Sequence, residues 1–137
     1  MKRTIKFIVV HCTATTPETS IKAIQNYWKK SLKWSSPGYH WMIKQGGNRV
    51  QLIPENMISN GVAGFNHSCI NIAYIGGLVG VYSAYDTRTE QQKMSMIILL
   101  KELKERYPEA KILGHRDFVG VHKACPCFDA IQEYKDI

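Results

Sequence analysis

The chain has 137 residues, 45% hydrophobic and 21% charged, which suits one globular domain spanning residues 1–137 around one core. Its longest apolar runs, Phe7 to Val10 and Met96 to Leu100, fall far short of the roughly 20 apolar residues that cross a bilayer, so no membrane-embedded role is expected. Eighteen Lys and Arg against eleven Asp and Glu give +7, a sign that suits polyanionic surroundings. The basic residues are scattered, however, and serve mainly solubility and weak steering, so no nucleic-acid partner is expected.

Met1-Lys2-Arg3 has the basic character of a secretion signal, but Lys6 interrupts the next stretch and only four apolar residues directly precede His11. A signal needs roughly 7 to 15. The N-terminus therefore reads as a strand of the mature fold, and synthesis in the cytoplasm without a signal peptide is expected. Thr4 to His11 is rich in β-branched and aromatic residues and predicts a strand buried on both faces. After a turn-like Thr13 to Thr19, Ile21, Ile24, Trp28 and Leu32 recur at helical spacing, which predicts an amphipathic helix from Ser20 to about Lys33, stopped by Ser35-Ser36-Pro37-Gly38.

Tyr39 to Lys44 and Arg49 to Ile53 flank Gln45-Gly46-Gly47-Asn48, a loop suited to an antiparallel hairpin. Ser68 to Ile75 predicts another buried strand, closed by Gly76-Gly77. A long helix comes next, with Met94, Ile97, Ile98 and Leu103 marking its apolar face. Thr87 with Glu90, and Thr89 with Gln92, each have the spacing of a capping box, and Pro108 ends the helix. Lys111 to Leu113 predicts a short strand and Asp129 to Tyr134 a short C-terminal helix. This order implies an α/β fold with a central mixed β-sheet flanked by helices.

Five histidines and four cysteines carry the most chemistry. The four cysteines could make two disulfides, but a chain of this size without a signal favours reduced thiols. His11, His115 and Cys125 stand at predicted strand ends or in the loop after one. Two imidazoles and a thiolate match a catalytic zinc site, which takes three protein ligands and keeps a position open for water. Taken singly, each residue also reads as structural. A rival is a closed structural site from His115, His122, Cys125 and Cys127, although these lack the separated Cys and His pairs such sites use.

Four segments narrow the choice. Ile8-Val9-Val10-His11-Cys12-Thr13-Ala14-Thr15, Gly38-Tyr39-His40, Gly114-His115-Arg116-Asp117 and Lys123-Ala124-Cys125-Pro126 resemble, in order, the signature segments of the type 2 N-acetylmuramoyl-L-alanine amidases. That family includes amidase-type phage lysozymes and is related to the animal peptidoglycan recognition proteins. The resemblance implies a Zn2+ cofactor held by His11, His115 and Cys125, with Tyr39 and Lys123 at the two catalytic positions that do not bind metal. It also implies cleavage of the amide between N-acetylmuramic acid and L-alanine, with Asn66 and His67 in a region that often lines the substrate groove. Lys123 would hold the growing oxyanion, and Tyr39 would orient water or carbonyl, taking a proton only if a cation lowered its pKa.

His40, next to Tyr39 on a strand, should face the other way and be structural, and the same alternation turns Cys12 from the metal. Cys127 stands where many relatives carry glycine. His122 has no matching position. The expected partner is peptidoglycan or a muropeptide, reached after release or injection, as by a phage or prophage lysin, a recycling enzyme or a toxin. Some phage lysozymes of this kind also bind the phage RNA polymerase, which the resemblance admits as a partner though no residue here marks it. A monomer is expected. The alternative of a non-catalytic recognition module is disfavoured by the presence of Cys125 together with Tyr39 and Lys123.

Overall fold

The computed structural model describes residues 2–137. Strand β1 (Phe7–Cys12) is followed by helix α1 (Ile21–Asn26), the hairpin strands β2 (Trp41–Ile43) and β3 (Arg49–Gln51), and strand β4 (Cys69–Tyr74). A small ribbon, β5 (Leu78–Val79) and β6 (Ser83–Ala84), precedes helix α2 (Glu90–Arg106), strand β7 (Lys111–Gly114) and helix α3 (Ala130–Glu133). The ribbon has no counterpart in the sequence reading, because its strands of two residues are too short to leave a pattern. Among the described residues no helix is long and apolar enough to cross a membrane.

The main sheet has the order β3-β2-β4-β1-β7, with β1 hydrogen-bonded to β4 and β7 and every pairing parallel except β2 with β3. This is the expected mixed sheet, and β1 lies inside it, as an unbroken apolar run requires. On one face Ile8, Val10, Ile70, Ile72 and Tyr74 pack beneath α2, on Met96, Leu99, Leu100 and Leu103. On the other, Val9 and Cys69 pack with Val62 and Phe118.

Two helices differ from expectation. In α2 the core face is Met96, Leu99, Leu100 and Leu103, whereas Met94 and Ile98 are exposed and Ile97 is at the surface. Both sets recur at helical spacing, and the one that turns inward shares its face with Gln92, whose amide donates to the carbonyls of Ile43 and Ile75. Of the two capping boxes, Thr89 with Gln92 forms, while the Thr87 hydroxyl accepts from the Gly77 amide instead. The first helix keeps its Ser20 cap, but regular α geometry stops at Asn26 and wider π-type turns carry Tyr27–Ser31, where Leu32 donates to the Tyr27 carbonyl. Lys33 then adopts a positive φ of 60°, which ends the helix before the serines.

Arg3 fastens the N-terminus across two loops. Its guanidinium donates to the carbonyls of Asn66, His67 and Cys69 and, at 2.7 Å, to that of Glu55. Near the other terminus Arg88, its side chain only 2% exposed, pairs with Asp86 and Glu133 and stacks 3.4 Å over the Phe128 ring. That cluster holds α3 against the end of the sheet.

Candidate metal centre

His11 is the penultimate residue of β1, and its side chain lies on the face opposite α2. His115 begins the short turn immediately after β7, the strand beside β1. Parallel pairing thus brings two residues more than a hundred positions apart to one end of the sheet, with ring centroids 4.7 Å apart. Cys125 completes the group from the loop before α3. Its sulfur accepts from the Cys12 amide at 3.2 Å, and its carbonyl accepts from the Arg116 amide at 3.0 Å, which ties the thiol to both histidine-bearing segments.

Gly114 and Asp117 explain the rest of the His115 motif. The Asp117 carboxylate accepts from the Gly114 amide at 2.7 Å and closes the turn. A Cβ on Gly114 would come 2.9 Å from the Pro126 ring, so glycine lets the Cys125-Pro126 segment lie directly on the strand end.

The ligand atoms of His11, His115 and Cys125 lie within 4.8 Å of one another. A tetrahedral zinc with bonds of about 2.0 to 2.3 Å separates its ligand atoms by roughly 3.6 Å, so small side-chain shifts suffice to close on an ion. Burial, with smaller contributions from His115 and Lys123, pulls the His11 pKa down to about 3 despite an opposing hydrogen bond to Asn71. Burial and then Lys123 lower that of His115 to about 4. Both imidazoles are therefore neutral at neutral pH and offer lone pairs, which is what a metal requires of them. Two imidazoles and a sulfur fit zinc by their chemistry as well as their spacing.

Tyr39 stands over this group, its ring 5.0 Å from that of His11 and edge-on to Trp28 at 5.5 Å. Its hydroxyl donates to the Cys12 carbonyl at 3.2 Å. Burial raises the phenol well above its usual pKa, and the neighbouring thiols Cys125 and Cys12 push the same way, so Tyr39 acts as a neutral donor. Lys123 lines the groove that opens over the site, a cavity of about 650 Å³ with Trp28 and Trp34 on one wall and Thr13 and Thr15 on another. It is the single Lys, Arg, Asp or Glu among the described residues lining that groove, so the local field is positive.

Other sequence candidates go elsewhere. Cys12 points into the core beneath α2, as strand alternation requires, and its sulfur lies 3.9 Å from that of Cys127. Cys127 and His122 stand outside the ligand group, so the rival set of four is not assembled among the described residues. Cys127 has a φ of 73°, a left-handed conformation that favours glycine. Neither Asn66 nor His67 is among the described residues lining the groove. The Asn66 side chain turns inward to accept from the Val62 amide at 2.6 Å, and His67 is exposed.

The sequence reading missed Asn71 and Ser59, both fully buried, which link His11 to His40. An asparagine within the apolar run Cys69–Tyr74 was the available signal, because a polar side chain in a strand buried on both faces must be answered by partners.

A family model of N-acetylmuramoyl-L-alanine amidases matches residues 1–128. The chain belongs to this family. The endolysin of Escherichia phage T7 is 32% identical over 125 residues, which cover 89% of this chain and 80% of that protein. Among solved structures, the N-acetylmuramoyl-L-alanine amidase LysC from Clostridium intestinale superposes with a TM-score of 0.78 at 26% identity, over 96% of this chain and 82% of that one. Drosophila PGRP-LB shares the fold, with a TM-score of 0.76 at 16% identity over 99% of this chain and 82% of its own. The activity that goes with membership is amide hydrolysis in peptidoglycan.

Proposed function

We propose that this amidase is zinc-dependent, with His11, His115 and Cys125 as ligands, and that it cleaves the bond between N-acetylmuramic acid and the L-alanine of the stem peptide. The observation that carries this reading is the convergence of the three ligand atoms on the groove floor beside Tyr39 and Lys123. Bound zinc would supply Lewis acidity and make water ionise near neutral pH.

The chain's own residues do the rest. The Lys123 ammonium, on the lining of the groove, would offset negative charge growing on the scissile carbonyl oxygen. Tyr39, kept protonated and braced between His11 and Trp28, presents a donor of fixed direction. The Trp28 and Trp34 wall excludes water from one side and gives the substrate an apolar surface to lie on. Likeness to phage endolysins supports action on the cell wall as a lysin.

The test is metal analysis combined with mass spectrometry of fragments released from defined peptidoglycan. One zinc per chain and free stem peptides with intact L-alanine termini are expected. Cys125→Ala should lose both zinc and hydrolysis, and a variant that still cleaves at the wild-type rate would sink the assignment. Protein that binds muropeptide without zinc and without cleavage would establish a recognition module instead.

A further inference from the structure

We propose that Asn71 is a positioning residue for the metal site: its carboxamide, oriented by Ser59 and His40, holds His11 protonated at Nε2 and so makes Nδ1 the ligand atom. The inference rests on the amidase reading, because it concerns how His11 is presented to the ion.

The orientation starts from backbone groups, whose polarity is fixed. The Asn71 amide N–H donates to His40 Nδ1 at 3.0 Å, and the Met57 carbonyl lies 2.7 Å from His40 Nε2. A donor at one nitrogen and an acceptor at the other leave one arrangement, neutral His40 with its proton on Nε2. Arg3 Nη2 lies farther from the same Nε2, at 3.2 Å, and directs one of its two hydrogens to the Glu55 carbonyl at 2.7 Å, so the nearer Met57 carbonyl decides the proton's place.

Ser59 Oγ lies 3.0 Å from His40 Nδ1 and 2.9 Å from the Asn71 carboxamide nitrogen Nδ2, so its hydrogen shares the Nδ1 lone pair with the Asn71 backbone N–H while its oxygen accepts from Nδ2. Asn66 Oδ1, already accepting from the Val62 amide, lies 3.5 Å from that Asn71 nitrogen and reinforces the choice. The carboxamide oxygen is left facing His11 Nε2 at 2.9 Å. An acceptor there requires Nε2–H, and the remaining lone pair, on Nδ1, faces Cys125 Sγ at 4.0 Å.

His40, Ser59 and Asn71 are fully buried and His11 is 1% exposed, so water does not compete for these bonds. Gly61 lies so close to the Asn71 carboxamide that any Cβ there would collide with it. The tautomer that binds metal is thus set before metal arrives, which is how a supporting hydrogen bond raises a site's affinity.

The experiment reads histidine side-chain nitrogen shifts by NMR and zinc affinity by chelator competition on the purified protein. His11 should show Nε2–H with zinc on Nδ1. Asn71→Leu should weaken zinc binding by about 10- to 100-fold, and Asn71→Asp, which keeps an acceptor toward His11, should retain affinity close to wild type. Should Asn71→Leu fail to fold, Ser59→Ala must weaken zinc binding by a smaller factor. Unchanged affinity in folded Asn71→Leu or in Ser59→Ala, or zinc on His11 Nε2, overturns the proposal. Protein that takes up no zinc yet shows Nε2–H on His11 would support Asn71 as the group that fixes the tautomer while overturning the proposed zinc dependence.

Discussion

On one face of β1, Ile8, Val10 and Cys12 sink into an apolar interior beneath α2; on the other, Phe7 and Val9 lead up to His11, where a line of directed hydrogen bonds takes over. The same strand supports both, yet the two interiors are specified differently. Apolar contact has no direction, so the α2 side is fixed by volume and area. The His11 side is fixed by which atom carries a proton, and a partner of the right size but wrong polarity does not substitute. Stability is expected to be sensitive to the first face and activity to the second.

The largest effect separating the two belongs to Leu99, fully buried under the sheet. Leu99→Ala should cost about 4 kcal/mol of unfolding free energy, while kcat of the remaining folded enzyme stays near wild type. Denaturant titration alongside turnover checks this, and a proportionate fall in kcat would mean that the faces are coupled. Lys123→Ala should do the reverse. Its side chain is exposed, so unfolding should be nearly unchanged while kcat falls by about 10²- to 10³-fold, with KM moving less.

The two faces also differ in how far they could be read from sequence. β1 announced itself by the apolar run Phe7–Val10 and β4 by the apolar residues on either side of Asn71, and the Thr89 with Gln92 box placed the start of α2 correctly. The face of α2 was misjudged because Met94, Ile97 and Ile98 repeat at the same period as Met96, Leu99 and Leu100, and periodicity gives no origin of rotation. The proposed ligands His11, His115 and Cys125 stand out in the sequence because each sits in a local motif, and the fold brings them together. The line from Met57 through His40, Ser59 and Asn71 was not legible, since its members come from three separate segments and only the parallel pairing of β4 with β1 and β2 brings them together.

A smaller effect tests the polar side by pH. Burial is the main cause that lowers the His40 pKa to about 4, with Arg3 adding to it and the hydrogen bond to Met57 and the Glu55 charge opposing. An unfolded chain takes up the His40 proton near pH 6.5, whereas the folded one resists until about pH 4. The contribution is therefore fully present above pH 6.5 and is lost as pH falls toward 4. Between pH 6.5 and 5 this one imidazole should remove about 2 kcal/mol. His40→Asn, which keeps an acceptor for the Asn71 amide, should flatten that slope in paired denaturant curves, and identical slopes would show that His40 is not buried neutral.

The smallest effect belongs to Cys127, which lies on the α2 side with its sulfur 3.9 Å from Cys12 and 3.6 Å from the Gly77 carbonyl. Its φ of 73° is a conformation in which a side chain is strained, so Cys127→Gly relieves strain and gives up only weak sulfur contacts. These oppose each other, and glycine's freedom in the unfolded chain offsets part of the relief, so unfolding should shift by less than about 1 kcal/mol. Zinc stoichiometry should remain one per chain, because Cys125 alone supplies the sulfur among the converging ligand atoms. A Cys127→Gly protein that loses zinc would show that the ion draws on both thiols and that the two faces of the sheet meet at the metal.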